Sequence, residues 1–126
     1  MKTVAIVQAR MGSMRFPEKV MQIICGKPMI ELLLMRLSQA SLITDIVLAT
    51  SRDERNDALV AHVQDLGYSI YRGSEADVLD RYYQAAKEVG ADTVVRITGD
   101  CPLIDPELVD SIITKFREVD VDYVSN

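Results

Sequence analysis

Three cations surround a single glycine in the segment Ala9-Arg10-Met11-Gly12-Ser13-Met14-Arg15-Phe16-Pro17-Glu18-Lys19. The guanidinium forks of Arg10 and Arg15 match phosphate oxygens two at a time, and Lys19 adds a compact point charge. Gly12 lets the backbone turn and approach a ligand closely, and successive backbone N–H groups can form an anion-binding nest. A small polyanion, such as a triphosphate, suits this chemistry. The segment is not a Walker A loop, because no Gly-Lys-Ser/Thr follows. It is not the dinucleotide fingerprint either, because Gly12 stands alone. The same composition also describes a solvated surface loop.

A second segment carries the complementary charge: Arg96-Ile97-Thr98-Gly99-Asp100-Cys101-Pro102-Leu103-Ile104-Asp105. Asp100 follows a run that reads as a buried strand, where a carboxylate is costly unless it is paired or bound to a cation. Gly99 leaves room beside it. Mg²⁺ typically takes one or two protein carboxylates and completes its shell with phosphates and waters. Asp100 facing the cationic segment would make such a site. Pairing with Arg96 or capping a turn is the alternative.

The elements that must carry these segments follow from periodicity. Thr3 to Gln8, Asp45 to Thr50, Ser69 to Tyr71, Thr93 to Thr98 and Val121 to Ser125 read as strands, with a short extended piece at Val20 to Ile24 closed by Gly26-Lys27-Pro28. Helices are predicted over Met29 to Ala40, with Ile30, Leu33, Leu34 and Leu37 on one face, and over Asn56 to Leu66, with Leu59, Val63 and Leu66. Two more run from the Ser74/Asp77 region to Val89 and from Pro106, capped by Asp105, to about Glu118. Gly67 and Gly90 are the expected stops. Strands alternating with helices on short connections imply an α/β fold. Its sheet is Rossmann-like and mostly parallel, with helices on both faces, and ligands bind outside the carboxyl ends of the strands. The cationic segment and the Asp100 segment both leave such ends. The 126 residues read as one domain, 1–126.

Composition narrows the function classes. Charged residues make up 26% and hydrophobic residues 48%, which excludes wholesale disorder. The net charge of −5 is uneven: residues 1–36 carry six cations against two anions, and residues 37–126 eight cations against seventeen anions. An acidic chain with a cationic opening repels DNA and RNA backbones over most of its surface, so no nucleic-acid partner is expected. No apolar run is long enough to span a membrane, and the opening lacks signal-peptide features. Cys25 and Cys101 read as reduced thiols of a cytoplasmic protein.

The cationic segment, taken with Gly26-Lys27-Pro28-Met29-Ile30, resembles the opening of the cytidylyltransferases that make CMP-activated acidic sugars, the CMP-Kdo synthetase type. The Arg96–Asp105 segment is similar to their metal-site loop. Tyr71-Arg72-Gly73-Ser74 and Asp77-Val78-Leu79-Asp80-Arg81-Tyr82-Tyr83 bring the likeness closest to the branch of spore-coat polysaccharide biosynthesis protein F. The resemblance covers the whole chain and implies a fold of the nucleotide-diphospho-sugar transferase type. It implies a Mg²⁺-dependent nucleotidyltransferase using CTP and a sugar or sugar-phosphate acceptor in surface-polysaccharide synthesis. On that footing Arg10, Ser13, Arg15 and Lys19, with Gly12, hold the triphosphate. Ala9 touches the base through its backbone, Arg72, Gly73 and Asp77 lie near the base or ribose, and Asp100 holds Mg²⁺. Arg15, Lys19 and Asp100 would serve the chemical step, in which an acceptor oxygen attacks the α-phosphorus in line and pyrophosphate leaves. Thr98 stands where the CMP-Kdo synthetase type commonly has Gln, which leaves base selectivity open. Members of the family run well past 126 residues, so the chain is expected to be the N-terminal, nucleotide-binding half of a longer enzyme. The second metal carboxylate and the sugar-contacting segment would lie beyond it.

Two other readings remain at this level. A nucleotide-sugar glycosyltransferase also sets a metal-binding Asp on such a sheet, but usually as Asp-x-Asp, whereas Cys101 and Pro102 follow Asp100 here. A non-catalytic nucleotide-binding fragment is the other. His62 and Cys101 lack an evident catalytic partner and read as packing and site lining. One of Tyr82 and Tyr83 should pack and the other face solvent. The Leu32-Leu33-Leu34-Met35 run fits core burial first and a homodimer contact second.

Overall fold

A computed structural model gives the fold, and it describes residues 2–9, 21–24, 26–74, 76–99 and 104–119. The first strand, β1 (Thr3–Gln8), is followed by a short antiparallel pair, β2 (Ile23–Ile24) and β3 (Lys27–Pro28). The chain continues through α1 (Met29–Leu37), β4 (Asp45–Ser51), a single 3₁₀ turn (Glu54–Asn56), α2 (Asp57–Asp65), β5 (Ser69–Gly73), α3 (Val78–Val89), β6 (Thr93–Thr98) and α4 (Pro106–Glu118). Four strands make one parallel sheet in the order β5-β4-β1-β6.

Side-chain alternation along β1 divides the core. Ala5, Val7 and Ala9 join Ile46, Leu48 and Ile97 beneath α1, α2 and α4. Val4 and Ile6 join Val47 and Ala49 beneath α3 through Tyr82 and Ala85. Helices therefore cover both faces, and β1, central and buried from Thr3 to Val7 with Gln8 half-buried, reads as a mostly apolar run for that reason. The four expected residues of α1, Ile30, Leu33, Leu34 and Leu37, are all fully enclosed.

Several boundaries move. The first helix ends at Leu37 rather than Ala40, because the amides of Gln39 and Ala40 turn back to Arg36 and Leu37 in tighter bonds. Leu66 does not join the stripe of α2. It lies past the last turn at 37% exposure, and Gly67 follows with φ of 93°. β5 runs on to Gly73, two residues beyond the expected end, because Arg72 and Gly73 stay in register with Thr50 and Ser51. The fifth strand expected at Val121 to Ser125 lies outside the described residues.

Asp110 of α4 is tied to the turn after α1. It accepts from Ser41 N and Oγ and from Leu42 N, each at 2.9 Å. Burial alone would raise its carboxyl, but the Leu42 and Ser41 donors outweigh that and hold it below its ordinary value. A lowered native value means the contribution is complete above the unfolded-state pKa and is lost as the pH falls through the native one. Asp110→Ala is expected to cost about 1–2 kcal/mol at pH 7, and the gap to wild type should narrow below about pH 4. Urea unfolding at pH 7 and pH 3 checks this; an equal gap at both would remove the ion from the account.

Candidate functional site

The sheet order reverses beside β1. Chain travel from β1 to β4 and then β5 moves outward in one direction, and α3 then carries it back across the other face to β6. The switch point falls between β1 and β6, which are parallel and in register from Thr3–Thr93 to Gln8–Thr98. At such a point the loops leaving two adjacent strands part, and a crevice forms outside their carboxyl ends.

Gly99 joins the two exits. Its N–H donates to Gln8 O at 2.7 Å, while Ala9 N donates across the other side to Ala49 O at 3.3 Å. A Cβ on Gly99 would stand 2.7 Å from Ala9 Cβ and 2.8 Å from Gln8 O. Hydrogen at this position is thus a matter of space: the β6 backbone passes too close to β1 for any side chain. Ala9, the only described member of the cationic segment, is part of this contact and is buried. Arg10, Gly12, Ser13, Arg15, Lys19 and Asp100 lie outside the described residues, as do Cys25 and Cys101.

The chain is also anchored where the described residues resume at Ile104. Arg36 of α1 donates from Nε to Ile104 O at 2.7 Å. Asp105 then caps α4 by accepting from Glu107 N and Leu108 N, with Pro106 in the first turn, as the sequence implied. Residues 100–103, between the anchored Gly99 and Ile104 in the sequence, lie outside the described residues.

The remaining candidates leave β5, two strands from β1 and about 10 Å away at ordinary strand spacing. Their polar groups are engaged within the fold. Arg72 donates from Nε to Ser51 O and from Nη2 to Asp53 O, and its Nη1 lies 2.9 Å from Asp57 Oδ1. Asp77 is the N-cap of α3, accepting from Asp80 N, and its own N–H donates to Ser74 Oγ. Gly73 is closely packed: an added Cβ would meet Tyr71 Cε1 at 2.8 Å and Arg81 Cγ at 3.2 Å. These residues share the carboxyl edge with Ala9 but are not in its immediate contact network.

Sequence reasoning passed over the polar groups buried along this edge. Thr50 and Ser51 at the end of β4 are fully enclosed, and Asn56 donates from Nδ2 to Ser51 Oγ at 2.7 Å. Arg81 is 1% exposed. Its position on the inward stripe of α3, between Val78 and Tyr82, was the available signal. The ring of Tyr82 lies against Arg96, whose guanidinium carbon is 4.4 Å from the ring centroid. Burial raises the Tyr82 hydroxyl above its usual range against the opposing pull of Arg96. Tyr83 is exposed, as the pairing of the two tyrosines implied. His62, half-buried, has a carboxylate neighbour after all, with Glu31 Oε1 3.5 Å from its Nε2. That spacing is an ion-pair distance without hydrogen-bond geometry, since the same nitrogen is enclosed and unbonded among the described residues. Among the described residues no three His, Cys, Asp or Glu side chains gather as a metal cage, and no helix is long and apolar enough to cross a membrane.

The family model described as cytidylyltransferase matches residues 4–126. The chain is 38% identical over 122 residues to the spore coat polysaccharide biosynthesis protein SpsF of Bacillus subtilis, covering 94% of this chain and 51% of that one. A solved cytidylyltransferase from Leptospira borgpetersenii superposes with a TM-score of 0.90 at 35% identity, over 94% of this chain and 50% of that one. The structure of CMP:2-keto-3-deoxy-manno-octonic acid synthetase complexed with CTP superposes with a TM-score of 0.80 at 30% identity, over 94% and 48%. The chain spans about half the length of the curated relatives it matches.

Proposed function

The chain belongs to the cytidylyltransferase family, and on that premise we propose that it forms the nucleotide-holding part of an enzyme that transfers a cytidylyl group from CTP to a sugar acceptor in surface-polysaccharide synthesis. The observation that carries this reading is the junction of β1 and β6. Their exits touch through Gly99 and Ala9 at the switch point, so the cation-rich segment and the Asp100 loop are rooted side by side. The likeness to a synthetase solved with CTP supports the choice of nucleotide, and the likeness to SpsF supports the setting. We propose a cytoplasmic location on the same footing.

In this reading Arg10, Ser13, Arg15 and Lys19 bind the triphosphate and Ala9 meets the base through its backbone. Arg15 and Lys19 offset the charge that gathers on the departing pyrophosphate. The acceptor oxygen approaches the α-phosphorus opposite that leaving group. Such transfer depends on alignment and charge neutralisation more than on a covalent partner. Magnesium fits the donor chemistry: Asp100 offers a hard oxygen ligand one residue after Gly99, which is bonded to the end of β1. When bound, the ion would polarise the phosphoryl group for attack. The sugar contacts and any second carboxylate ligand belong to the part of the fold that the relatives have beyond this length.

Calorimetry with CTP and MgCl₂ tests the cradle. Arg15→Ala and Lys19→Ala are each expected to weaken binding by about 1–3 kcal/mol, the range for removing one charge-assisted partner. Equal affinity in wild type and both variants would remove the phosphate role. Pyrophosphate release with CTP and candidate sugars, against transfer from a UDP-sugar, separates cytidylyl transfer from glycosyl transfer.

A further inference from the structure

Among the described residues, Arg81 is the largest of the fully buried side chains. A guanidinium taken out of water forfeits its hydration, and an apolar residue of equal length often packs as stably in such a place. Its contacts give it a task. The stem lies against Gly73, close enough that a Cβ there would stand 3.2 Å from Arg81 Cγ. Nη1 reaches back to the preceding turn and donates to Ser74 O at 2.9 Å, while the backbone N–H of Arg81 donates to Asp77 O at 3.2 Å. The turn from β5 into α3 is therefore gripped from the helix side. From the β4 side it is held by Arg52 N, which donates to Gly73 O at 3.2 Å, and by the bridge from Arg72 to Ser51 and Asp53.

We propose that Arg81 is a positioning residue of the nucleotide site, fixing the main chain at Gly73 and Ser74 so that this turn forms a rigid side wall at the carboxyl edge. The inference rests on the nucleotide reading of that edge. Arg81 itself does not touch the nucleotide; it acts through the turn. Preorganising the wall lowers the ordering cost that binding would otherwise carry.

Two variants separate this role from simple packing. Arg81→Met keeps the stem against Gly73 and removes the bond to Ser74 O. Arg81→Lys keeps the charge with a shorter reach and no fork. In the nucleotide-free protein, hydrogen exchange at the Asp77 amide, which donates to Ser74 Oγ, is expected to speed at least tenfold in Arg81→Met. The melting temperature should stay within a few degrees of wild type. The CTP dissociation constant should rise at least tenfold in the same variant. Where turnover is measured, KM for CTP should rise while kcat at saturation stays within about twofold. Arg81→Lys should fall between the two, and it carries the test if Arg81→Met does not fold. Unchanged exchange in both variants would overturn the grip on the turn. Faster exchange with unchanged CTP affinity would overturn its service to the site. Failure of the wild type to bind CTP would instead strike the nucleotide reading, leaving the exchange result to report on the grip alone.

Discussion

Gly99→Ala is expected to destabilise the protein by about 1–3 kcal/mol and to weaken CTP binding at least tenfold, although no charge and no ligand-facing group is altered. The added methyl would stand 2.7 Å from Ala9 Cβ, 2.8 Å from Gln8 O and 3.3 Å from Ala9 Cα. None of these is the far end of a flexible side chain. Two are backbone atoms and one is a Cβ, so relief requires the ends of β1 and β6 to separate. Separation breaks the 2.7 Å bond from Gly99 N to Gln8 O and tilts the peptide that leads into Arg10. Stability and binding should therefore fall together, which a surface substitution would not produce.

The double variant Ala9→Gly with Gly99→Ala sharpens the case. Removing the Ala9 methyl relieves the 2.7 Å contact but not the 2.8 Å approach to Gln8 O. Partial recovery is expected, with a coupling of the sign and size found for residues in contact. Urea unfolding and calorimetry with CTP check both halves. Native stability with full CTP affinity in Gly99→Ala would show that the junction tolerates a side chain, and the spatial reading of the site would be lost.

The sequence made β1, β4, β6 and the four helices legible because each is announced by local chemistry. β1 is a central strand buried on both faces from Thr3 to Val7, and Val4 to Val7 are all apolar for that reason. α3 and α4 carry aspartate caps, and Gly90, with φ of 68°, closes α3. From sequence Gly99 reads as making room beside Asp100; in the fold it also makes room for the end of β1. That distinction depends on strand pairing ninety residues apart in the chain, which no local pattern contains. Arg72 and Asp77 show the converse. Resemblance assigns them to the nucleotide, whereas the fold occupies the Arg72 guanidinium with Ser51, Asp53 and Asp57 and an Asp77 oxygen with the first turn of α3. Polar residues at a strand exit satisfy the exposed backbone groups there whether or not a ligand binds, so residue type alone does not separate the two duties. The same ambiguity hid Arg81, an arginine on an apolar stripe whose partner is a carbonyl one element back.

Asp100→Asn is expected to produce the largest change of all in turnover, a loss of about 10²–10³-fold, in line with removal of one preorganised electrostatic group from a transfer site. In sequence, Asp100 lies between Gly99, bonded to Gln8, and Ile104, bonded to Arg36. The cation-rich segment begins from the neighbouring strand, so position 100 follows directly on the point where the two strand exits meet. The binding signature should be distinctive. Without magnesium, the wild-type carboxylate repels the triphosphate, so Asp100→Asn should bind free CTP at least as tightly as wild type. With magnesium added, wild-type affinity should rise and that of the variant should stay nearly flat, because the amide is a weaker ligand for a hard divalent cation. CTP titrations at zero and saturating magnesium, on both proteins, read this crossing of the order of affinities. A parallel rise in both proteins would place the ion elsewhere and leave Asp100 without its assigned duty.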